Sequence, residues 1–361
     1  MTDTRAARQA SLLAVLADAG VDALVVTHLP NIRWLTGFTG SAGFLVVAPT
    51  RRTLITDFRY AVQAPQEVGS AAEVLIDRAS IWTRLERVLS GLAPEVVACE
   101  GHVTTLQGAE RLATATKARI QPMHEVIEGL RAVKDAGEVE AIRRAGALAL
   151  DALAAVVPTI RVGERELDVA ARLEAALRVR GSEWHPFQTI VASGPRSALP
   201  HARTGDRVLG RGDLLLIDFG AQVDGYCADI TRTFVLGPAD DRQRTVYELV
   251  RAAQLNARTH IRAGMTGRGA DALARDLIAE RGYGEAFGHS LGHGLGLEVH
   301  EAPRVAATVE APLPVGAVVT IEPGIYLPGW GGVRLEDDVW LGPDGPELLT
   351  DGATDLRELP C

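Results

Sequence analysis

The chain has 361 residues, 47% of them hydrophobic and 23% charged, with a formal net charge of −9. This is the composition of an ordinary globular protein long enough for two cores, and no stretch reaches the roughly 20 apolar residues of a membrane span. No basic run offsets the acidic balance, so neither nucleic acid nor a membrane is an expected partner.

The opening MTDTRAARQASLLAVLADAG has arginines and alternating polar residues, with no continuous apolar stretch and no cleavage site. It predicts an amphipathic helix ended by Gly20 and not an export signal. Cys99, Cys227 and Cys361 are odd in number and lack C-x-x-C spacing, which suits reduced thiols in a cytoplasmic protein. Cys227 reads as a small packing residue. The strand-like runs VDALVV, GFLVVAP, RTLITD, AEVLI and EVVACE alternate with polar, helix-compatible stretches and predict a mixed α/β domain over residues 1–125. Within it, Asn31 to Phe38 is turn-rich, and Arg33 and Trp34 read as exposed types.

Residues 126–361 are expected to form a second domain. A linker leads into a long amphipathic helix in VIEGLRAVKDAGEVEAIRRAGALALDALAAVV, and further helices are predicted in ERELDVAARLEAALRVRG, DRQRTVYELVRAAQLNARTHI and GRGADALARDLIAERG. They would back a curved antiparallel sheet, giving an α/β (α+β) fold overall.

That sheet is predicted to carry two acidic hairpins. In DLLLIDFGAQVDGYCADITRTFVLG, two β-rich runs flank Asp224-Gly225, a dipeptide suited to the positive φ angles of a tight turn. A two-residue loop at Val223-Asp224 or Asp224-Gly225 places Asp218 opposite either Asp229 or Thr231, and in both registers the two aspartates share a face. In VVTIEPGIYLPGWGGVRLEDDVWLG, an odd-length loop centred near Gly329 would set Glu322 opposite Glu336. Buried carboxylates need a counter-charge, and a cation supplies it. Between the hairpins, FGHSLGHGLGLEVHEAP places His289, His293 and His300 in a glycine-rich stretch that lets imidazoles approach a site closely. No G-x-G-x-x-G opens a helix here, which excludes nucleotide binding.

With these segments in this order, the chain resembles the pita-bread metallopeptidases, in the branch of Xaa-Pro dipeptidases (prolidases) and Xaa-Pro aminopeptidases. The aspartate hairpin ending DITRTF, GHGLGLEVHEAP, TIEPGIY and GGVRLEDD carry the resemblance, and NIRWLTGFTGSAG with DFRYAVQA resembles that branch's amino-terminal domain. The resemblance implies a metal set of Asp218, Asp229, His293, Glu322 and Glu336, with Asp229 and Glu336 bridging two divalent ions. It also implies substrate contacts by His201 and His300, with His289 lining the pocket and Arg334 supporting Glu336 or Asp229. The ions would share a water and lower its pKa, while Glu322 moves a proton to the leaving nitrogen and His201 and His300 hydrogen-bond the oxyanion. Four hard carboxylates and one imidazole suit Mn²⁺ best, with Co²⁺, Zn²⁺ or Fe²⁺ as alternatives.

Specificity for proline comes from the resemblance alone. Arg304, just after HEAP, is a candidate cation for a dipeptide's carboxylate and favours a dipeptidase over an aminopeptidase acting on longer peptides. The family's amino-terminal region implies a homodimer in which the Asn31 to Phe38 segment narrows the substrate entrance of the partner. Two remote alternatives are a metal-free pita-bread binding module and a creatinase-like hydrolase, and the complete acidic set argues against both.

Overall fold

The β-branched runs of the first unit pair into one six-stranded sheet. In a computed structural model that describes residues 3–360, contacts divide the chain into Met1–Arg131 and Ala132–Cys361. The strands are β1 (Ala23–Val26), β2 (Phe44–Ala48), β3 (Arg51–Asp57), β4 (Glu73–Asp77), β5 (Val96–Glu100) and β6 (Arg119–Met123), in the sheet order β4-β3-β2-β1-β5-β6. The helices are α1 (Arg5–Asp18), α2 (Leu29–Thr36), α3 (Gln63–Val68), α4 (Ile81–Leu92), α5 (Leu106–Ala115) and α6 (Val126–Arg131). The last helix joins this unit because the buried Arg131 donates from Nη1 to Asn31 Oδ1 at 2.7 Å, which carries the boundary beyond Glu125.

One expectation fails here. Asn31 to Phe38 is not a turn-rich, exposed segment, since most of it is helix α2, closed by Gly37 at φ 82°. Trp34 is 4% exposed, with the Arg8 guanidinium 5.0 Å from its ring. The indole therefore packs the core of its own unit. Cys99 is buried, and Cys361 lies outside the described residues.

In the second unit the long helix α7 (Ala136–Val156) starts at a capping box, in which Asp135 accepts from the backbone of Gly137 and Glu138 while Glu138 accepts from Asp135 N. α8 (Glu166–Val179), α9 (Asp241–His260) and α10 (Gly267–Glu280) follow. One sheet runs β17-β9-β8-β7, from β7 (Ile190–Ser193), β8 (Leu214–Val223), β9 (Tyr226–Leu236) and the short parallel β17 (Glu358–Leu359). Its apolar face packs on α7 and α8 through Leu215, Ile217, Phe219, Ile230 and Phe234.

A second sheet runs β11-β10-β12-β15-β16, built from β10 (Gly292–Gly294), β11 (Glu301–Val305), β12 (Val318–Ile321), β15 (Asp337–Gly342) and β16 (Gly345–Leu348). A two-stranded ladder of β13 (Gly324–Leu327) and β14 (Gly331–Arg334) extends the β12–β15 pair. Helices α9 and α10 cover this half through Val246, Val250, Ala253, Ala270 and Ala274, which pack with Val319, Ile321, Val339 and Leu341. Among the described residues no helix is long and apolar enough to cross a membrane.

Candidate metal centre

The first hairpin turns on Asp224-Gly225, both at positive φ (51° and 80°), with Val223 paired to Tyr226. Of the two registers open to the sequence, this fixes Asp218 opposite Thr231, with Asp229 two positions along on the same face. The second hairpin leaves Pro328, Gly329 and Trp330 between Leu327 and Gly331, which pair. Ile321 faces Asp337 on one side and Gly324 faces Arg334 on the other, so the register sets Glu322 opposite Glu336 at the joint between the two ladders.

His293 comes from β10, whose flanking glycines are required by close backbone approach. A Cβ on Gly292 would sit 1.9 Å from Thr320 O, and one on Gly294 would sit 2.2 Å from Ala302 O. Only glycine admits the strand between its neighbours, and that packing delivers the imidazole to the carboxylates.

Three of the donors converge tightly: ligand atoms of Asp229, His293 and Glu336 all lie within 4.8 Å of one another. His293 Nε2 is 3.4 Å from Glu322 Oε1 and 3.8 Å from Asp229 Oδ2. Asp218 joins through Arg334, whose Nη2 donates to Asp218 Oδ2 at 2.6 Å. The same guanidinium donates from Nε to Thr231 Oγ1 at 3.0 Å, and that hydroxyl donates to Glu336 Oε2 at 2.5 Å. Arg334 therefore reaches Asp218 directly and Glu336 through Thr231, whereas the sequence reading had it support Glu336 or Asp229.

The electrostatics of the cluster call for more positive charge. Burial, followed by the neighbouring carboxylates, pushes Asp229 and Glu336 well above the usual carboxylate range. Burial raises Glu322 to about 8. Burial and the neighbouring His300 push His293 down to about 4, which keeps its imidazole neutral and available as a ligand. Asp218 Oδ1 and Asp229 Oδ1 are buried with no hydrogen-bond partner. Buried acceptors left without donors among crowded carboxylates are what a bound cation satisfies, and four carboxylates with one imidazole form a hard donor set suited to divalent ions.

The histidines expected to meet substrate border the same space. The His300 ring is 4.3 Å from that of His293 at 69°, and its basicity is lowered by burial and by His201. His201 is exposed, and Arg334 Nη1 donates to the adjacent Pro200 O at 3.2 Å. His289 is held by Tyr326, whose hydroxyl lies 2.9 Å from Nε2 and accepts from Arg334 Nη1 at 2.8 Å. Burial lowers His289 to about 4. Arg304 is exposed on β11, opposite His293.

Sequence reasoning missed Tyr326, Thr231 as a relay, and Asp338, which is fully buried and accepts from Asp229 N at 3.1 Å. The alternative register that paired Asp218 with Thr231 was the signal for the relay. Cys227 is a buried packing residue whose thiol burial raises to about 12.

Residues 140–343 match the model of metallopeptidase family M24, and residues 8–133 match the creatinase/prolidase N-terminal domain. An uncharacterized peptidase, YqhT, of Bacillus subtilis is 40% identical over 93% of this chain and 96% of its own length. The solved Xaa-Pro dipeptidase from Bacillus anthracis is 38% identical with a TM-score of 0.96, covering 98% of this chain and 100% of that one. An X-Pro aminopeptidase structure from Thermotoga maritima is 40% identical with a TM-score of 0.88, covering 95% and 98%.

Proposed function

Because the chain belongs to metallopeptidase family M24, we propose that it hydrolyses Xaa-Pro bonds, principally those of dipeptides, as a metal-dependent peptidase of the cytoplasm. The observation that carries this reading is the convergence of Asp229, His293 and Glu336 within 4.8 Å, with Asp218 and Glu322 beside them and buried oxygens left without donors. Asp218, Asp229, His293, Glu322 and Glu336 hold two divalent ions in this reading, and the hard oxygen set favours Mn²⁺. When bound, such ions supply Lewis acidity and make water acidic enough to deprotonate near neutral pH.

The chain's own groups do the rest. Glu322 accepts a proton from the attacking water and passes it to the proline nitrogen, which cannot leave without one. His300 and His201 donate hydrogen bonds to the carbonyl oxygen as it gains charge. Tyr326 and Arg334 hold His289 and Asp218 in place through the bonds described above. Arg304 binds the carboxylate that follows the scissile bond in a dipeptide.

The similarity to an X-Pro aminopeptidase at a TM-score of 0.88 supports a second reading, in which longer peptides are cleaved. Turnover of an Xaa-Pro dipeptide, an Xaa-Pro-Yaa tripeptide and a longer Xaa-Pro peptide, each before and after chelation and Mn²⁺ addition, separates the two. Preference for the dipeptide supports the first reading, and turnover unaffected by verified metal removal sinks both. A homodimer is part of the proposal. Its support is the likeness of residues 8–133 to the creatinase/prolidase N-terminal domain, and solution mass tests it.

A further inference from the structure

The segment 194–205, between β7 and β8, carries His201 and an exposed Leu199. Its chain returns close to its starting point, and one buried carboxylate sits at that closure. Glu166, the first residue of α8, is 0% exposed. Its Oε1 accepts from Ser193 N at 2.8 Å and from Ser193 Oγ at 2.9 Å, where the segment begins. Its Oε2 accepts from Gly205 N at 3.3 Å, where the segment ends, and from Arg196 Nε at 3.1 Å within it. Arg196 in turn donates from Nη2 to Arg203 O.

The far side of the segment rests on β14. Gly332 N donates to Ser197 Oγ at 2.8 Å, and a Cβ on Gly332 would lie 2.3 Å from Ser197 O. Arg334 Nη1 reaches Pro200 O. His201 therefore stands on a loop fixed at its base by Glu166 and at its flank by the strand that leads into Glu336. Its own side chain is exposed.

We propose that Glu166 is a positioning residue for His201: its carboxylate fastens both ends of the 194–205 loop and Arg196 within it, and so sets where the histidine meets the carbonyl oxygen. This rests on the peptidase reading for what His201 does, but the fastening itself is independent of it. A catalytic group displaced by about 1 Å loses on the order of a hundredfold in rate, so the tie matters to turnover more than to binding.

The test uses the Mn²⁺-loaded protein and two variants, Glu166→Gln and Arg196→Ala. Glutamine keeps one acceptor for Ser193 but turns an amide donor toward Gly205 N or Arg196, so the loop loosens. Trypsin should then cut Glu166→Gln after Arg196 or Arg203 roughly tenfold faster or more than wild type, as expected when charged hydrogen bonds are lost. For an Xaa-Pro dipeptide kcat should fall by a similar factor, with KM and metal content little changed. Should Glu166→Gln fail to fold, Arg196→Ala, which removes a partly exposed side chain, should show a smaller acceleration at Arg203 and a smaller loss of kcat.

Wild-type cleavage rates in the folded variants overturn the inference. A released loop with undiminished kcat overturns it too. An inactive wild type with the tryptic difference intact overturns the peptidase reading and leaves the fastening standing.

Discussion

Asp337 lies one position beyond Glu336 on the opposite face of its strand, and its removal should damage the centre from behind. Its carboxylate is 0% exposed and accepts from Arg232 Nη2 (2.7 Å), Gln254 Nε2 (2.5 Å), Arg258 Nη1 (3.0 Å) and Thr350 Oγ1 (3.2 Å). Asparagine offers one acceptor oxygen and two donors to four donating partners, and it leaves the buried Arg232 without its counter-charge. Breaking a buried pair in this way costs about 3–5 kcal/mol. For a unit of this size that corresponds to a fall in Tm of roughly 6–20 °C.

The damage should extend to ion binding, because Arg232 Nη1 also donates to Glu336 O at 2.6 Å and to Thr231 O at 3.0 Å. Thermal unfolding and chelator competition on Asp337→Asn measure the two effects. Arg258→Ala is the internal comparison: its side chain is 20% exposed and Asp337 keeps three donors, so the cost should be nearer 1.5 kcal/mol. Equal losses in the two variants, or a Tm for Asp337→Asn within about 2 °C of wild type, would refute the argument from a buried counter-charge.

Replacing Asp229 or Glu336 by alanine should abolish ion binding and Xaa-Pro hydrolysis together, as read by metal analysis alongside turnover; hydrolysis with full ion content in either variant would remove them from the ligand set. His300→Ala should keep its ions and lose about 10²–10³ in kcat, the usual consequence of losing an oxyanion donor. Arg304→Ala should raise KM for dipeptides by roughly tenfold, the loss of one charged hydrogen bond, and leave tripeptides little affected. Equal changes for both lengths would take Arg304 out of carboxylate recognition.

Much of the centre was legible because hairpin arithmetic is strict. Asp224-Gly225 announces a turn with two positive φ values, and a loop centred on Gly329 places Glu322 against Glu336 without further information. The groups that hold the donors were less legible. Tyr326, Thr231, Asp337 and Asp338 occupy ordinary strand positions, and their partners lie on other strands or helices, so no local spacing marks them. The helix holding Trp34 was missed because Pro30 at its start and Gly37 at its end look like turn residues until read as a first-turn proline and a left-handed cap. Strand β6 was missed because RIQPM is polar and contains Pro122, which a sheet tolerates at its edge.

The hydroxyl bond between Thr231 and Glu336 spans 105 positions. At a synthesis rate of about 5–20 residues per second, the two aspartates leave the ribosome roughly 5–20 s before the glutamate that completes their set. During that interval β8 and β9 can pair through their tight turn, but neither Arg334 nor Glu336 exists to reach them. The nascent hairpin must therefore carry two acids on one face in water, protonated or hydrated, and the interior around them can close only when the later ladder arrives.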